Sequence, residues 1–131
     1  MGHRTLAVIA TALLGSAVAA TSSSAQLPVI YNGILGYAHV SATASPPGAN
    51  NFSCRPSAAH PRPVILVHGT FADMSDSWQA LSPLLYDNGY CVFAFNYGSY
   101  AGSGVLGIYG VGEIAHAAGE LSAFVDQVLT A

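Results

Sequence analysis

Apolar and polar positions alternate with two distinct rhythms along this chain. Val64-Ile65-Leu66-Val67 is a continuous, largely β-branched run between Pro63 and Gly69, which predicts a short strand buried on both faces. Cys91-Val92-Phe93-Ala94-Phe95 repeats that character before Asn96 and Gly98. Between the two runs, Trp78, Leu81, Leu84 and Leu85 fall at helical spacing. Asp76 or Ser77 would cap that helix and Gly89 would stop it. Pro83 interrupts it: either it kinks the element, which is the preferred reading, or Ser82 caps a second short helix with Pro83 at its first position. Farther on, Ile114, Ala118, Leu121, Val125, Val128 and Leu129 form one apolar stripe opposite Glu113, His116, Glu120 and Gln127. That stripe predicts a helix from about residue 112 to the end.

Strand, helix, strand, Gly-rich loop, helix is the order of a parallel crossover, and hence of an α/β sheet. Both strands then begin on the same edge of the sheet. The stretch 26–62 is rich in Pro, Gly, Ser, Ala and Asn, with Pro46-Pro47-Gly48 as a breaker. Its segment Leu27 to Val40 is apolar without a clean period and reads as a loose lead-in with room for one short helix.

The N-terminus changes the picture. Arg4 is the only early charge, Thr5 to Ala20 is uncharged and mostly apolar, and small residues follow. That order predicts a secretory signal over residues 1–25, with cleavage after Ala19, Ala20 or Ala25. A membrane-spanning helix needs about 20 apolar residues, more than this run supplies. An oxidising destination makes Cys54–Cys91 the one intrachain disulfide available, against two separately buried thiols. Both cysteines fall near the starting edge of the sheet, and the bridge would contribute roughly 3–4 kcal/mol.

Composition removes several classes of function. The 131 residues suffice for one domain, only 7% are charged, and lysine is absent. Without the leader, two arginines face six acids. Such a chain cannot bind nucleic acid by neutralising phosphates, and it is neither charge-rich and disordered nor a coiled coil. Two cysteines are too few for a structural zinc site or a multi-disulfide scaffold.

The strongest chemical signal is Val64-Ile-Leu-Val-His68-Gly69-Thr70-Phe71. In open α/β sheets, sites form beyond the carboxyl ends of strands. A glycine there allows a sharp turn, after which free N–H groups can stabilise the oxyanion of acyl transfer. This stretch resembles the loop after the third strand of α/β-hydrolases. Together with Ser45-Pro-Pro-Gly-Ala-Asn50, Cys54-Arg-Pro-Ser57, the run His60 to Phe71, and Trp78, it resembles secreted actinobacterial lipases of the class 2 type, over about residues 27–131. The resemblance implies the N-terminal portion of an α/β-hydrolase fold: a signal at 1–25, a lead-in at 26–62 and a partial domain at 63–131 with an incomplete sheet. It implies lipase or carboxylesterase chemistry on a lipid or ester substrate at an interface, without metal or other cofactor. The Thr70 backbone N–H becomes the expected oxyanion donor, with its hydroxyl and the Phe71 amide as further candidates. His68 and Gly69 shape the turn; His68 precedes any nucleophile, whereas the family's catalytic histidine comes last, so it is not read as a base.

The departures matter as much. The family carries a Gly-x-Ser-x-Gly elbow, then an acid and a histidine. No serine here has glycine at both −2 and +2; Ser99 and Ser103 come nearest and fail. None of the triad can be carried over, and the sequence reads as the front part of a lipase, truncated before the elbow. The alternative is a non-catalytic secreted α/β module that binds a ligand or the cell wall. Three further signals are set aside. Asp73 and Asp76 beside His68 are too sparse for a metal site and fit capping better. Gly102-Ser-Gly-Val-Leu-Gly107 with Asp126 imitates a dinucleotide fingerprint but does not follow its strand directly; it reads as a flexible loop whose Val105, Leu106, Ile108 and Tyr109 face an acyl pocket. Asn51-Phe52-Ser53 is a glycosylation sequon relevant only in a eukaryotic secretory host. His3, His39, His60 and His116 occur singly, as surface or core histidines do.

Overall fold

The computed structural model describes residues 25–32 and 41–131. The leader expected over 1–25 lies outside them apart from Ala25, as do residues 33–40 of the lead-in and His3 and His39. Strand β1 (Val64–Val67) is followed by helices α1 (Met74–Ser77) and α2 (Leu81–Asp87). Strand β2 (Val92–Phe95), a 3-10 turn (Ser103–Leu106) and helix α3 (Ile114–Thr130) complete the order. The strands pair in parallel, Val64 opposite Val92 and Val67 opposite Phe95. The chain therefore makes a small α/β unit, as its two apolar runs predict.

Both faces of β2 are covered, whereas β1 is only half-buried, with Leu66 inside and Val67 exposed. On one face, Leu66, Val92 and Ala94 pack with Met74, Trp78 and Leu85. On the other, Cys91, Phe93 and Val128 pack with Phe52, Ile65 and Phe124. The continuous apolar character of each strand follows from this, because successive residues face opposite layers.

The connection between the strands is two helices rather than one kinked helix. Helix α1 starts earlier than expected, because the Asp73 carboxylate, not Asp76 or Ser77, accepts the free N–H groups of Ser75 and Asp76. Asp76 reciprocates by accepting from the Asp73 N–H, closing a capping box. Helix α2 starts at Leu81, so Pro83 falls in its first turn, where its missing N–H costs nothing. Ser82 is not the cap; its hydroxyl donates to the Pro47 carbonyl at 2.8 Å. Gly89 follows the last turn with φ +83°, the left-handed geometry its expected stop role requires.

Helix α3 begins just after Glu113, whose carboxylate accepts from the Ala115 and His116 N–H groups. Those bonds hold the Glu113 carboxyl below the usual glutamate range. The buried seam overlaps the expected stripe in part. Phe124 stacks on Phe95 at 4.5 Å and meets Phe52 edge-on, and this aromatic contact sets the helix orientation. Leu121, Val125 and Val128 of the expected stripe do turn inward, joined by Ala117, Glu120 and Phe124, while Ile114, Ala118 and Leu129 stay exposed.

The outer edge of β2 is closed by the lead-in. Asn50 donates its backbone N–H to the Val92 carbonyl at 2.9 Å. Its side-chain amide donates to the Ala94 carbonyl and accepts from the Ala94 N–H, both at 2.9 Å. One asparagine thus imitates an added strand. The Cys54–Cys91 disulfide fastens the same segment to the start of β2; across its separation of 37 residues, chain entropy alone contributes about 4 kcal/mol. Among the described residues the other edge of β1 has no strand partner. No helix among them is long and apolar enough to cross a membrane.

Candidate functional site

Parallel pairing brings the carboxyl ends of β1 and β2 to one edge of the sheet. There the turn His68–Asp73 meets the loop that leaves β2 at Asn96. Three contacts join them. The Tyr97 hydroxyl donates to the His68 carbonyl at 2.6 Å. The Met74 N–H donates to the Asn96 side-chain oxygen at 2.7 Å. Ala72 and Tyr109 form an antiparallel bridge, with Phe71 N–H donating to the Tyr109 carbonyl at 3.0 Å.

His68 is buried, at 2% exposure, under this turn. Its ring stacks on Tyr97 at 4.5 Å and meets Tyr109 at 6.2 Å. Its Nδ1 lies 2.8 Å from the Gly69 carbonyl, and Nε2 has no hydrogen-bond partner in the structure. The imidazole is thus enclosed by rings and bonded to its own turn. Asp73 is buried as well. Loss of solvent lifts its carboxyl above the usual aspartate value, against the lowering effect of the capping N–H groups.

The amides of the turn divide into used and free. Phe71 sits at φ +61°, a left-handed conformation costing about 1–2 kcal/mol for a non-glycine residue. The Phe71 N–H donates to the Tyr109 carbonyl. The Thr70 N–H makes no hydrogen bond among the described residues, and Thr70 is exposed. Backbone strain of this kind clusters at active sites and ligand clamps.

The loop 98–112 supports the turn from below. Its ends meet where the Val111 and Gly112 N–H groups donate to the Gly98 carbonyl, and the Gly98 N–H donates to Glu120 Oε2 at 2.7 Å. Glu120, expected on the polar face of its helix, is therefore engaged at the seam. Gly110 lies so close to the turn that a Cβ there would come within 2.6 Å of the Gly69 oxygen and 3.1 Å of Thr70 Cα. Val105 and Leu106 do not line a pocket: they are 91% and 77% exposed. Tyr109 instead packs inward, its ring against Gly104.

An apolar groove of about 250 Å³ runs beside the turn, lined by Val67, Tyr97, Ile114, Ala117, Ala118 and Leu121. A hollow of about 390 Å³ lies at the opposite end of the sheet, around the disulfide and Arg55. No chemistry-bearing cluster accompanies that hollow. Among the described residues, no three His, Cys, Asp or Glu side chains gather as a metal site would require; Asp73 and Asp76 are occupied with each other in the capping box.

The turn, both strands and most of the following loop belong to one recognisable block. Residues 61–107 match the family model for Lipase (class 2). No curated protein matches the chain. The lipase match supports the family resemblance through the residues that build the turn, His68 to Asp73, and the strand that braces it. Tyr97, Asn96 and Gly110 were not singled out by sequence. Six glycines among residues 98–112 were the available signal, and they suggested a flexible loop rather than a fitted support.

Proposed function

We propose that this chain carries the oxyanion side of a secreted ester hydrolase acting on lipid or carboxylic esters. The observation that carries this is the Thr70 N–H, which has no hydrogen-bond partner among the described residues, held on a strained, braced turn at the carboxyl end of a parallel strand, inside the lipase match. In acyl transfer, negative charge develops on the carbonyl oxygen as a nucleophile adds. A donor already fixed toward that oxygen stabilises the transition state without reorganising. Thr70 would supply that donor. The attacking serine, its histidine and the acid lie on no motif in these 131 residues. The disulfide and the expected leader support export.

The test uses the natural full-length protein with p-nitrophenyl butyrate. Thr70→Ala keeps the amide and should retain turnover within a few-fold. Thr70→Pro removes it and should lower kcat about 10²- to 10³-fold, with melting monitored to confirm folding. A folded Thr70→Pro protein with unchanged kcat would sink the assignment. The isolated 131-residue chain should show no turnover.

A second reading, a non-catalytic secreted α/β module, is favoured by one observation: no serine stands in a Gly-x-Ser-x-Gly setting. It requires that the full-length protein hydrolyse no ester at all.

A further inference from the structure

Helix α3 presents Glu120 to the point where the support loop begins and ends. Phe124 fixes the helix by stacking on Phe95 of β2. One turn earlier, Glu120 Oε2 accepts from the Gly98 N–H at 2.7 Å. Gly98 is buried, so little water can replace that acceptor, and a buried donor without a partner is costly. The Gly98 carbonyl accepts from both Val111 and Gly112 at the far end of the loop. Its neighbour Tyr97 accepts from the Gly110 N–H through its carbonyl and donates to the His68 carbonyl through its hydroxyl. Tyr97-Gly98 is thus a junction that ties both loop ends to the turn, and Gly110 abuts Gly69 and Thr70 from the same loop. Residues 98–112 carry no charge of their own. The junction is held by an ionisable side chain from outside, and an ionised acceptor makes the stronger bond. Glu120 Oε1 also lies 3.7 Å from His116 Nε2, but the His116 side chain is 72% exposed, and such surface pairs contribute little.

We propose that Glu120 is a positioning residue for acyl transfer: by pinning the Gly98 amide it holds the support loop against the turn and fixes the direction of the Thr70 N–H. This rests on the ester-hydrolase reading for its purpose. Glu120 touches no substrate and moves no proton; it acts through Gly98, Gly110 and the turn. Loosening the junction therefore displaces a donor that is needed in the transition state and leaves substrate affinity alone. The signature is a fall in kcat with KM little changed.

The experiment measures kcat and KM for p-nitrophenyl butyrate in the full-length protein, together with the Thr70 and Gly98 amide resonances of isotope-labelled protein. Glu120→Ala places a good helix former on α3. It should lower kcat about tenfold, since misplacing a catalytic group by about 1 Å costs up to two decades, and it should move both resonances. Two further variants separate reach from charge. Glu120→Gln keeps an oxygen at the same length and should hold kcat within about threefold of the parent, because a neutral acceptor bonds at roughly half the strength. Glu120→Asp keeps the charge but is one methylene short of Gly98, so it should lose kcat as the alanine variant does. His116→Ala removes the exposed pair alone and should change nothing. Parental kcat and an unmoved Thr70 resonance in Glu120→Ala would overturn the assignment. So would the reverse order, with Asp active and Gln impaired, or a loss in His116→Ala equal to that in Glu120→Ala. The resonances need no turnover. If the full-length protein hydrolyses no ester, the hydrolase reading fails by itself; a Thr70 shift caused by Glu120→Ala and reversed in Glu120→Gln then still upholds the linkage from Glu120 to the turn.

Discussion

Gly110→Ala tests whether the support loop sets the position of the Thr70 amide. Two costs combine at this residue. Its φ of +68° is unfavourable for alanine by about 1–2 kcal/mol. The added Cβ would also lie 2.6 Å from the Gly69 oxygen, whereas ordinary contact begins near 3.4 Å. The turn and the loop must therefore separate by about 0.8 Å, and crowding of this kind adds roughly 1–3 kcal/mol. The total loss of stability should be about 2–5 kcal/mol, read by urea denaturation. Misplacing a catalytic group by about 1 Å costs up to two decades in rate, so kcat for a soluble ester should fall about 10- to 100-fold with KM little changed. Gly102→Ala provides the comparison. Its φ is +83°, yet nothing lies within 4 Å of its would-be Cβ. It should show the backbone cost alone and leave kcat intact. Equal effects from the two substitutions would refute the idea that Gly110 fits the loop to the turn.

Two more outcomes follow from particular contacts. Asn50→Ala strips both side-chain bonds from Ala94, whose backbone is buried in β2; stability should drop by about 2–4 kcal/mol, and an unchanged denaturation midpoint would show that water replaces the amide. Asp73→Asn keeps a capping oxygen but cannot ionise. Because burial raises the folded carboxyl above its unfolded value, the unfolded state ionises first as pH rises, so wild-type stability should decline relative to the variant upward from the usual aspartate range. Midpoints compared across a pH series would contradict this if the difference were flat or grew in favour of wild type.

The strands were legible because burial on both faces leaves an uninterrupted apolar run, a pattern that tolerates little else. The disulfide was legible from the sheet topology and the expected compartment. Helix boundaries were less so. Capping depends on which of several closely spaced acids reaches free N–H groups, and Asp73 prevails over Asp76 because the turn after β1 ends there. The seam of α3 was legible in part: Leu121, Val125 and Val128 face inward as the stripe predicts, but Phe124, whose ring packs on Phe95, was missed, and Ile114, Ala118 and Leu129 stay exposed. Of the site, the turn His68–Phe71 could be read locally. Its supports could not, because Tyr97, Tyr109, Gly110 and Glu120 act through contacts between segments distant in sequence, and a glycine's value at a close approach is invisible until its neighbour is known.

Sealing one border of the sheet with Asn50 gives the unit a handed capacity for assembly. Filaments built by strand addition need two joinable borders per molecule, one to receive and one to offer. Among the described residues only the β1 border is available. Edge-to-edge pairing through it would end at two copies, so the asparagine converts a route to open-ended polymer into one that stops at a pair.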